Sequence, residues 1–81
     1  SVKLSLNISI DNSNNIKINK FEKILSDMDL IYNFYIYKFD NKNTFYKVIF
    51  NGTPDKFLEV MGEQNYNFEI KNKIWILNDK S

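Results

Sequence analysis

The chain has 81 residues, 43% of them hydrophobic, and its 11 lysines against 10 acidic residues leave a net charge of +1. This length allows one domain with a single core, and the charge balance excludes a strong overall field that would attract nucleic acid. Histidine, cysteine, arginine and alanine are absent, which excludes disulfides, thiolate and imidazole catalysis, the usual zinc sites and bidentate phosphate clamps.

The first predicted element is a half-buried β-strand. The segment VKLSLNISI, residues 2–10, alternates apolar and polar side chains without a break, which is the pattern of a strand with one buried face. The apolar set is Val2, Leu4, Leu6, Ile8 and Ile10, and the polar set is Lys3, Ser5, Asn7 and Ser9. The turn-forming segment DNSNN then ends the strand.

An amphipathic helix of about three turns is predicted next. Its apolar residues recur at helical spacing and are Ile18, Phe21, Ile24, Leu25 and Met28. Two asparagines are candidates for the N-cap of this helix. They are Asn15, and Asn19 with Glu22 three residues later, as in a capping box.

A β-hairpin follows the helix. The segment IYNFYIYKF, residues 31–39, is rich in aromatic and β-branched residues and predicts a strand. The segment DNKN predicts the turn, and TFYKVIF, residues 44–50, predicts the returning strand. The residues of this strand that face the core are predicted to be Tyr46, Val48 and Phe50.

The segment NGTP predicts a junction between the hairpin and a second helix. Gly52 is expected to supply a positive φ, Thr53 to cap the helix with its hydroxyl, and Pro54 to occupy the first helical position. The buried stripe of the helix is predicted to be Phe57, Leu58 and Met61. A phosphate-binding loop would need more glycines and a Lys-Ser/Thr pair, so we interpret the segment as structural.

The last segment, YNFEIKNKIWIL, is open to two interpretations. It folds into a small hairpin around Lys71 and Asn72, or its only strand is formed by residues 74–77. Trp75 is expected to close one end of the core rather than to anchor a partner.

The element order β-α-β-β-α-β predicts an α+β fold. We expect a two-layer ferredoxin-like sandwich in which an antiparallel sheet carries both helices on one face, with an extra strand if the last segment is a hairpin. Residues 1–81 are expected to form a single domain, and the start at Ser1 rather than Met predicts a segment of a longer protein. The abundance of residues with A/T-rich codons predicts a low-GC bacterial genome.

The sheet face without helices is the candidate interaction surface. Parity along the strands leaves polar side chains exposed on the first strand and aromatic side chains on the next two. The candidate interface residues are Tyr35, Tyr37, Phe39, Phe45, Lys47 and Ile49. A contiguous aromatic patch is typical of an interface, whereas rings that only pack among themselves on an edge strand would need no partner.

The leading functional hypothesis is a non-enzymatic protein-interaction or structural module. Its partners would be other domains of the parent chain or a second copy, which would form a homodimer. The contact would use the open face or the exposed edge strand, residues 31–39, where Asn33 and Lys38 are the evident guards against strand addition.

The alternative hypothesis is a single-stranded nucleic-acid-binding domain with the topology of the RNA-recognition motif. It would use the same aromatic residues as a platform and Lys47 as a charge. The segment TFYKVIF lacks the glycine of that motif, and arginine is absent, so nucleic acid is not the expected partner.

A third hypothesis is a regulatory domain with a small-ligand pocket at the helix–sheet rim. No catalytic, cofactor-binding or metal-binding residues are predicted, because the carboxylates fall mainly in turns and on solvent faces and no pair is forced together. No apolar run is long enough for membrane insertion.

Several fold-defining features follow one another along the chain. They are an L-x-x-[IM] step that ends the first helix, an aromatic-x-Gly step after the third strand, a Leu-rich second helix and a final W-x-L. In this sequence they are Leu25 with Met28, Phe50-Asn51-Gly52, Leu58, and Trp75-Ile76-Leu77. With them, nearly the whole chain resembles the C-terminal domain of a family of uncharacterised, envelope-associated proteobacterial proteins. The resemblance implies a periplasmic or envelope location and carries over no functional residues.

Overall fold

The computed structural model describes residues 3–78 of the chain and contains seven elements of secondary structure. They are β1 (Lys3–Asp11), α1 (Asn15–Asp27), β2 (Ile31–Phe39), β3 (Asn43–Asn51), α2 (Pro54–Glu63), β4 (Phe68–Lys71) and β5 (Ile74–Leu77). The predicted helices and strands are present close to their predicted bounds. Val2, which the alternation assigns to the first strand, lies outside the described residues.

The five strands form one mixed sheet in the order β2-β3-β1-β5-β4. β3 is antiparallel to both β1 and β2, and β4 is antiparallel to β5, but β5 is parallel to β1. The prediction of an antiparallel sheet is therefore wrong, while the two-layer α+β character is confirmed.

The C-terminal hairpin is the reason for the mixed sheet. The chain forms β4 at the sheet edge, turns at Asn72 and Lys73, and returns as β5 between β4 and β1. A strand that leaves a tight turn runs opposite to the strand before it, so β5 takes the direction of β1. Both turn residues have positive φ values, 52° and 66°, as a type I′ turn requires. The hairpin interpretation is confirmed, with its turn one residue later than predicted.

The N-cap of α1 is Asn14. Its backbone is extended, and its side-chain Oδ1 accepts hydrogen bonds from the backbone N–H groups of Ile16 at 3.0 Å and Lys17 at 3.1 Å. The predicted caps Asn15 and Asn19 are wrong, because both lie inside the helix, where the backbone is not extended as a cap requires.

α2 begins as predicted. Thr53 Oγ1 accepts a hydrogen bond of 3.1 Å from the backbone N–H of Lys56, and Pro54 is the first helical residue. Gly52, in contrast, does not have a positive φ. A Cβ at this position would lie 2.7 Å from Cε2 of Phe50. The junction therefore needs glycine because the Phe50 ring passes close to the backbone.

A single core lies between the sheet and the two helices. Phe21 of α1 packs on Tyr46, and Phe57 of α2 packs on Phe50. Tyr46 and Phe50 have equal parity in β3, so both helices cover the same sheet face. The buried apolar residues are Leu6, Ile8, Ile10, Phe21, Leu25, Tyr46, Val48, Phe50, Phe57, Met61, Tyr66, Trp75 and Leu77.

Two predictions for the α2 end of the core have different outcomes. Trp75 is buried as expected, with its ring centroid 5.5 Å from that of Phe57 and 6.0 Å from that of Phe68. Leu58 was predicted in the buried stripe but is 39% exposed, and Val60 packs against the core instead. The buried stripe of α2 is therefore narrower than the run of apolar residues in its sequence.

Candidate functional site

Among residues 3–78, no second layer of structure covers the sheet face opposite the helices, which we call the open face. Directly opposed residues on neighbouring strands point to the same side of a sheet, so cross-strand pairing defines this surface. Tyr46 and Val48 are buried under the helices, and the alternate residues of β3 therefore belong to the open face. These residues are Phe45, Lys47 and Ile49.

β2 adds tyrosines to the same surface. Tyr35 pairs with Lys47, and the ring centroid of Tyr37 lies 6.2 Å from that of Phe45. The structure therefore brings five of the predicted interface residues together on the open face. They are Tyr35, Tyr37, Phe45, Lys47 and Ile49. Their role in an interface stays a prediction.

Phe39 does not join this group. A β-bulge between Ile36 and Lys38 shifts the register, and Phe39 pairs with Thr44, which in turn pairs with the core residue Ile10. Phe39 therefore belongs to the helix-bearing side, where it is 75% exposed. The assignment by strict alternation is wrong because a bulge inserts one extra residue into the strand.

A second bulge places one more aromatic residue on the open face, which strict alternation along the strand does not identify. It lies between Ile31 and Asn33. Tyr32, within this bulge, lies under Lys3 of β1, whose Nζ is 3.8 Å from the ring centroid. Strict alternation from Phe34 assigns Tyr32 to the core side, so no local signal in the sequence identifies it.

Three lysines of the open face lie over aromatic rings. In addition to Lys3, Lys38 Nζ is 4.8 Å from the ring centroid of Phe45, and Lys47 Nζ is 5.8 Å from that of Tyr37. An ammonium group in this position is attracted by the negative face of the ring. We call this surface the aromatic–lysine face, and its residues are Tyr32, Tyr35, Tyr37, Phe45, Lys3, Lys38 and Lys47.

The charge of the chain is unevenly distributed over its surface. The aromatic–lysine face holds three lysines, although the whole chain has a net charge of only +1. Asp11, which pairs with Asn43 at the end of β1, has the same orientation on the sheet and lies at the margin of this face. On the far side of the open face, Lys71 of β4 is accompanied by Glu69. The aromatic–lysine face is therefore positively charged, although the net charge of the whole chain is close to zero.

Two carboxylates at one end of the sheet are held in turns. Asp40 Oδ1 accepts 2.8 Å hydrogen bonds from the backbone N–H groups of Asn43 and Lys42, and these bonds lower the pKa of Asp40. Hydrogen bonds from the side chain and the backbone of Ser13 likewise lower the pKa of Asp11. In both cases, hydrogen bonds from neighbouring turn residues stabilise the ionised form of the carboxyl group.

Asn7 lies at the centre of the open face, between Lys47 of β3 and Ile74 of β5. Its Oδ1 is enclosed and has no hydrogen-bond partner among the described residues. An enclosed acceptor without a partner costs about 1 to 3 kcal/mol.

The helix side of the molecule contains a groove lined by apolar and acidic residues. This groove, of about 420 Å³, lies between the C-terminal turns of α1 and α2. Its apolar lining residues are Ile24, Met28, Leu30 and Val60, and its carboxylates are Asp27, Asp29 and Glu63. The lining of this groove is therefore acidic, whereas the aromatic–lysine face carries three lysines.

Tyr46 is the most deeply buried titratable residue with a shifted pKa. Its hydroxyl donates a 2.6 Å hydrogen bond to Glu22 Oε2. Burial, this hydrogen bond and the charge of Glu22 all raise the pKa of Tyr46 well above its ordinary value. The phenol is therefore neutral at physiological pH and belongs to the core rather than to a reactive site.

No protein-family model, curated protein or solved structure matches this chain. The resemblance to an envelope-associated family therefore stays a prediction. Within residues 3–78, neither helix combines the length and the apolar content needed to cross a lipid bilayer.

Proposed function

We propose that this chain is a non-enzymatic interaction module that binds an anionic partner through its aromatic–lysine face. The observation that carries the proposal is the set of three ammonium groups that lie 3.8, 4.8 and 5.8 Å from ring centroids of the same face. Such a surface offers apolar contact and positive charge together. The absence of histidine, cysteine and arginine from the chain supports a binding role over a catalytic one.

The sheet edges are less suitable for a partner than the face. β2 carries two bulges along its 9 residues, and bulges interrupt the regular row of backbone groups that strand addition requires. β4, at the other edge, has only 4 residues. These features act against homodimerisation through residues 31–39.

A second copy of this chain is also a poor match for the face. Two copies placed face to face would oppose the lysines of one to the lysines of the other, and like charges that lose water repel each other. A negatively charged partner is favoured instead, whether it belongs to the parent chain or to a separate molecule.

We also propose that the fold is a variant of the ferredoxin-like sandwich in which β5 is inserted beside β1. The strand order β1-β3-β2 and the position of both helices on one face support this classification. The envelope location implied by the family resemblance is a proposal of the same kind.

Titration of the isotope-labelled chain with a heparin oligosaccharide, a polyanion without aromatic groups, tests the binding proposal by NMR. We expect amide shifts concentrated in β1, β2 and β3, and weaker binding with added salt, because salt screens exposed charges. Shifts centred on the helices, or no binding, would overturn the proposal.

Two variants with the same net charge provide the control. The first combines Lys38→Gln with Lys47→Gln on the aromatic–lysine face, and the second combines Lys20→Gln with Lys42→Gln elsewhere. We expect only the first variant to weaken heparin binding, by about tenfold. Equal weakening in both would mean that binding follows net charge and does not depend on this face.

A further inference from the structure

The exposed rings specify the chemistry of the anionic partner more closely, and this step rests on the proposed function. Tyr32, Tyr35 and Tyr37 of the aromatic–lysine face are 69%, 50% and 43% exposed. A partner that offers only carboxylates or sulfates would engage the ammonium groups and leave these rings in water. A nucleotide offers a phosphate to the ammonium group and a planar base to the ring.

Rings and charges lie close together across this face. Tyr35 and Tyr37 are two residues apart on β2, and both lie on the open face. Lys47 pairs with Tyr35 and lies 5.8 Å from the Tyr37 ring, while Lys38 lies 4.8 Å from the Phe45 ring. A nucleic-acid strand that crosses the face therefore meets an ammonium group beside each ring it reaches.

The lysines that cover the rings do not block this mode of binding. A lysine side chain has a flexible four-carbon stem and a compact charge. It can leave the ring face and contact a phosphate while the base takes its place. The lysine–ring contacts therefore place a positive charge beside each ring before a ligand binds.

The bases must be unpaired to reach these rings. In a duplex, neighbouring bases on each strand are stacked about 3.4 Å apart, and rings held on a sheet surface cannot enter between them. A single strand is free to turn its bases onto the rings. Because every base has a π-face, such stacking tolerates many sequences, and the chain has no arginine for bidentate base recognition.

We infer that the aromatic–lysine face binds single-stranded nucleic acid without strong sequence preference, over about four nucleotides. The low net charge of the chain does not prevent binding of nucleic acid, because three lysines lie beside the exposed rings. An acidic polypeptide would share the charge requirement but would make no use of the rings.

Fluorescence anisotropy with a labelled oligothymidylate of about ten nucleotides tests this inference. A polyglutamate peptide of equal charge and a DNA hairpin without single-stranded tails serve as comparisons. We expect the affinity for the oligonucleotide to fall about 20-fold between about 50 and 200 mM salt, because three lysine–phosphate contacts give a logarithmic slope of about −2. The two comparison ligands are expected to bind at least about tenfold more weakly.

Ring variants test the stacking contacts directly. Tyr35→Val and Tyr37→Val retain a β-branched residue suited to the strand but remove the ring, and each is expected to weaken oligonucleotide binding about tenfold. Phe39→Val is the matched control, because Phe39 is an exposed ring of the same strand that belongs to the other face. It is expected to leave binding unchanged, and circular dichroism establishes that each variant is folded.

If a tyrosine variant does not fold, ring-proton shifts in the unsubstituted chain answer the same question. A stacked base moves the Tyr35 and Tyr37 ring signals upfield, and polyglutamate does not. Preference for polyglutamate or for the hairpin, or oligonucleotide binding that does not involve these tyrosines, would overturn the inference and leave the proposed function standing. No binding to any polyanion would overturn both.

Discussion

Tyr46 shows how one polar group is accommodated in the core of a small domain. Its ring packs edge-on against Phe21 and tilted against Phe34, and its hydroxyl reaches Glu22 on α1. A hydrogen bond to a charged acceptor is stronger than one between neutral groups. The bond therefore ties the helix to the middle of β3 at the point where the phenol would otherwise lack a partner.

Substitution of Tyr46 is expected to change the stability of the protein in a way that depends on pH. The folded-state pKa of Tyr46 lies above its unfolded value of about 10. Its stabilising contribution is therefore complete below about pH 10 and is lost as the pH rises above that value. Tyr46→Phe should reduce the free energy of unfolding by about 1 to 2 kcal/mol near neutrality and should make the loss of stability at alkaline pH less steep.

Urea unfolding of both proteins at about pH 8 and about pH 11 measures this effect. Some alkaline sensitivity is expected to remain in the variant, because burial also raises the pKa of Tyr66. An equally steep alkaline loss in the two proteins would contradict the prediction.

At the residue scale, alternation in the sequence is sufficient for β1 and β3 but not for β2. The pairs Leu6↔Val48 and Ile8↔Tyr46 follow the predicted faces. Phe39 was assigned to the wrong face, and alternation alone would place Tyr32 on the core side, because each bulge shifts the parity of the residues beyond it. Since a bulge is defined by pairing with another strand, the sequence of β2 does not reveal it.

At the scale of elements, the two glycines of the chain have opposite roles. A Cβ at Gly52 would meet the ring of the fully buried Phe50, which is itself packed against Phe57. A Cβ at Gly62, inside α2, would have nothing within 4 Å. The first glycine is therefore required by the strand-to-helix junction, and the second only adds flexibility to a helix.

Alanine substitutions should separate these roles. Gly52→Ala is expected to lower the free energy of unfolding by about 1 to 3 kcal/mol through overpacking against Phe50. Gly62→Ala is expected to raise it by about 0.5 kcal/mol, because alanine is the better helix former. Thermal and urea unfolding measure both changes, and a stabilising Gly52→Ala would show that the Phe50 ring can move aside at no cost.

The start of a helix was predicted correctly where residues next to each other in the sequence determine it. Thr53 caps α2 and Pro54 starts it, because a hydroxyl followed by proline favours this geometry wherever it occurs. At α1 the cap is one of two adjacent asparagines, Asn14 and Asn15. Their side chains have the same capping chemistry, so composition alone does not select between them.

At the scale of the whole molecule, the distribution of charge and the structure of the edges predict a monomer. The bulges of β2, the shortness of β4 and the shared positive charge of the aromatic–lysine face all act against self-association. Sedimentation velocity over a wide concentration range is expected to give one monomeric species at both low and high salt.

The salt series distinguishes the ways in which this prediction can fail. A dimer that forms only at high salt would indicate self-association through the lysine-bearing face, because salt screens the repulsion between like charges. A dimer that persists at all salt concentrations would indicate pairing through the β2 edge.

The sequence by itself determined the order of the elements from β1 to α2, the buried faces of β1 and β3 and the start of α2. These depend on periodicity and on caps, which act between residues a few positions apart. Only the tertiary structure decided that β5 returns beside β1, that bulges turn Tyr32 toward Lys3 and Phe39 to the other side, and that three lysines share one face with the exposed rings. These features depend on which strands pair and in which direction, and strand pairing joins residues that are far apart in the chain.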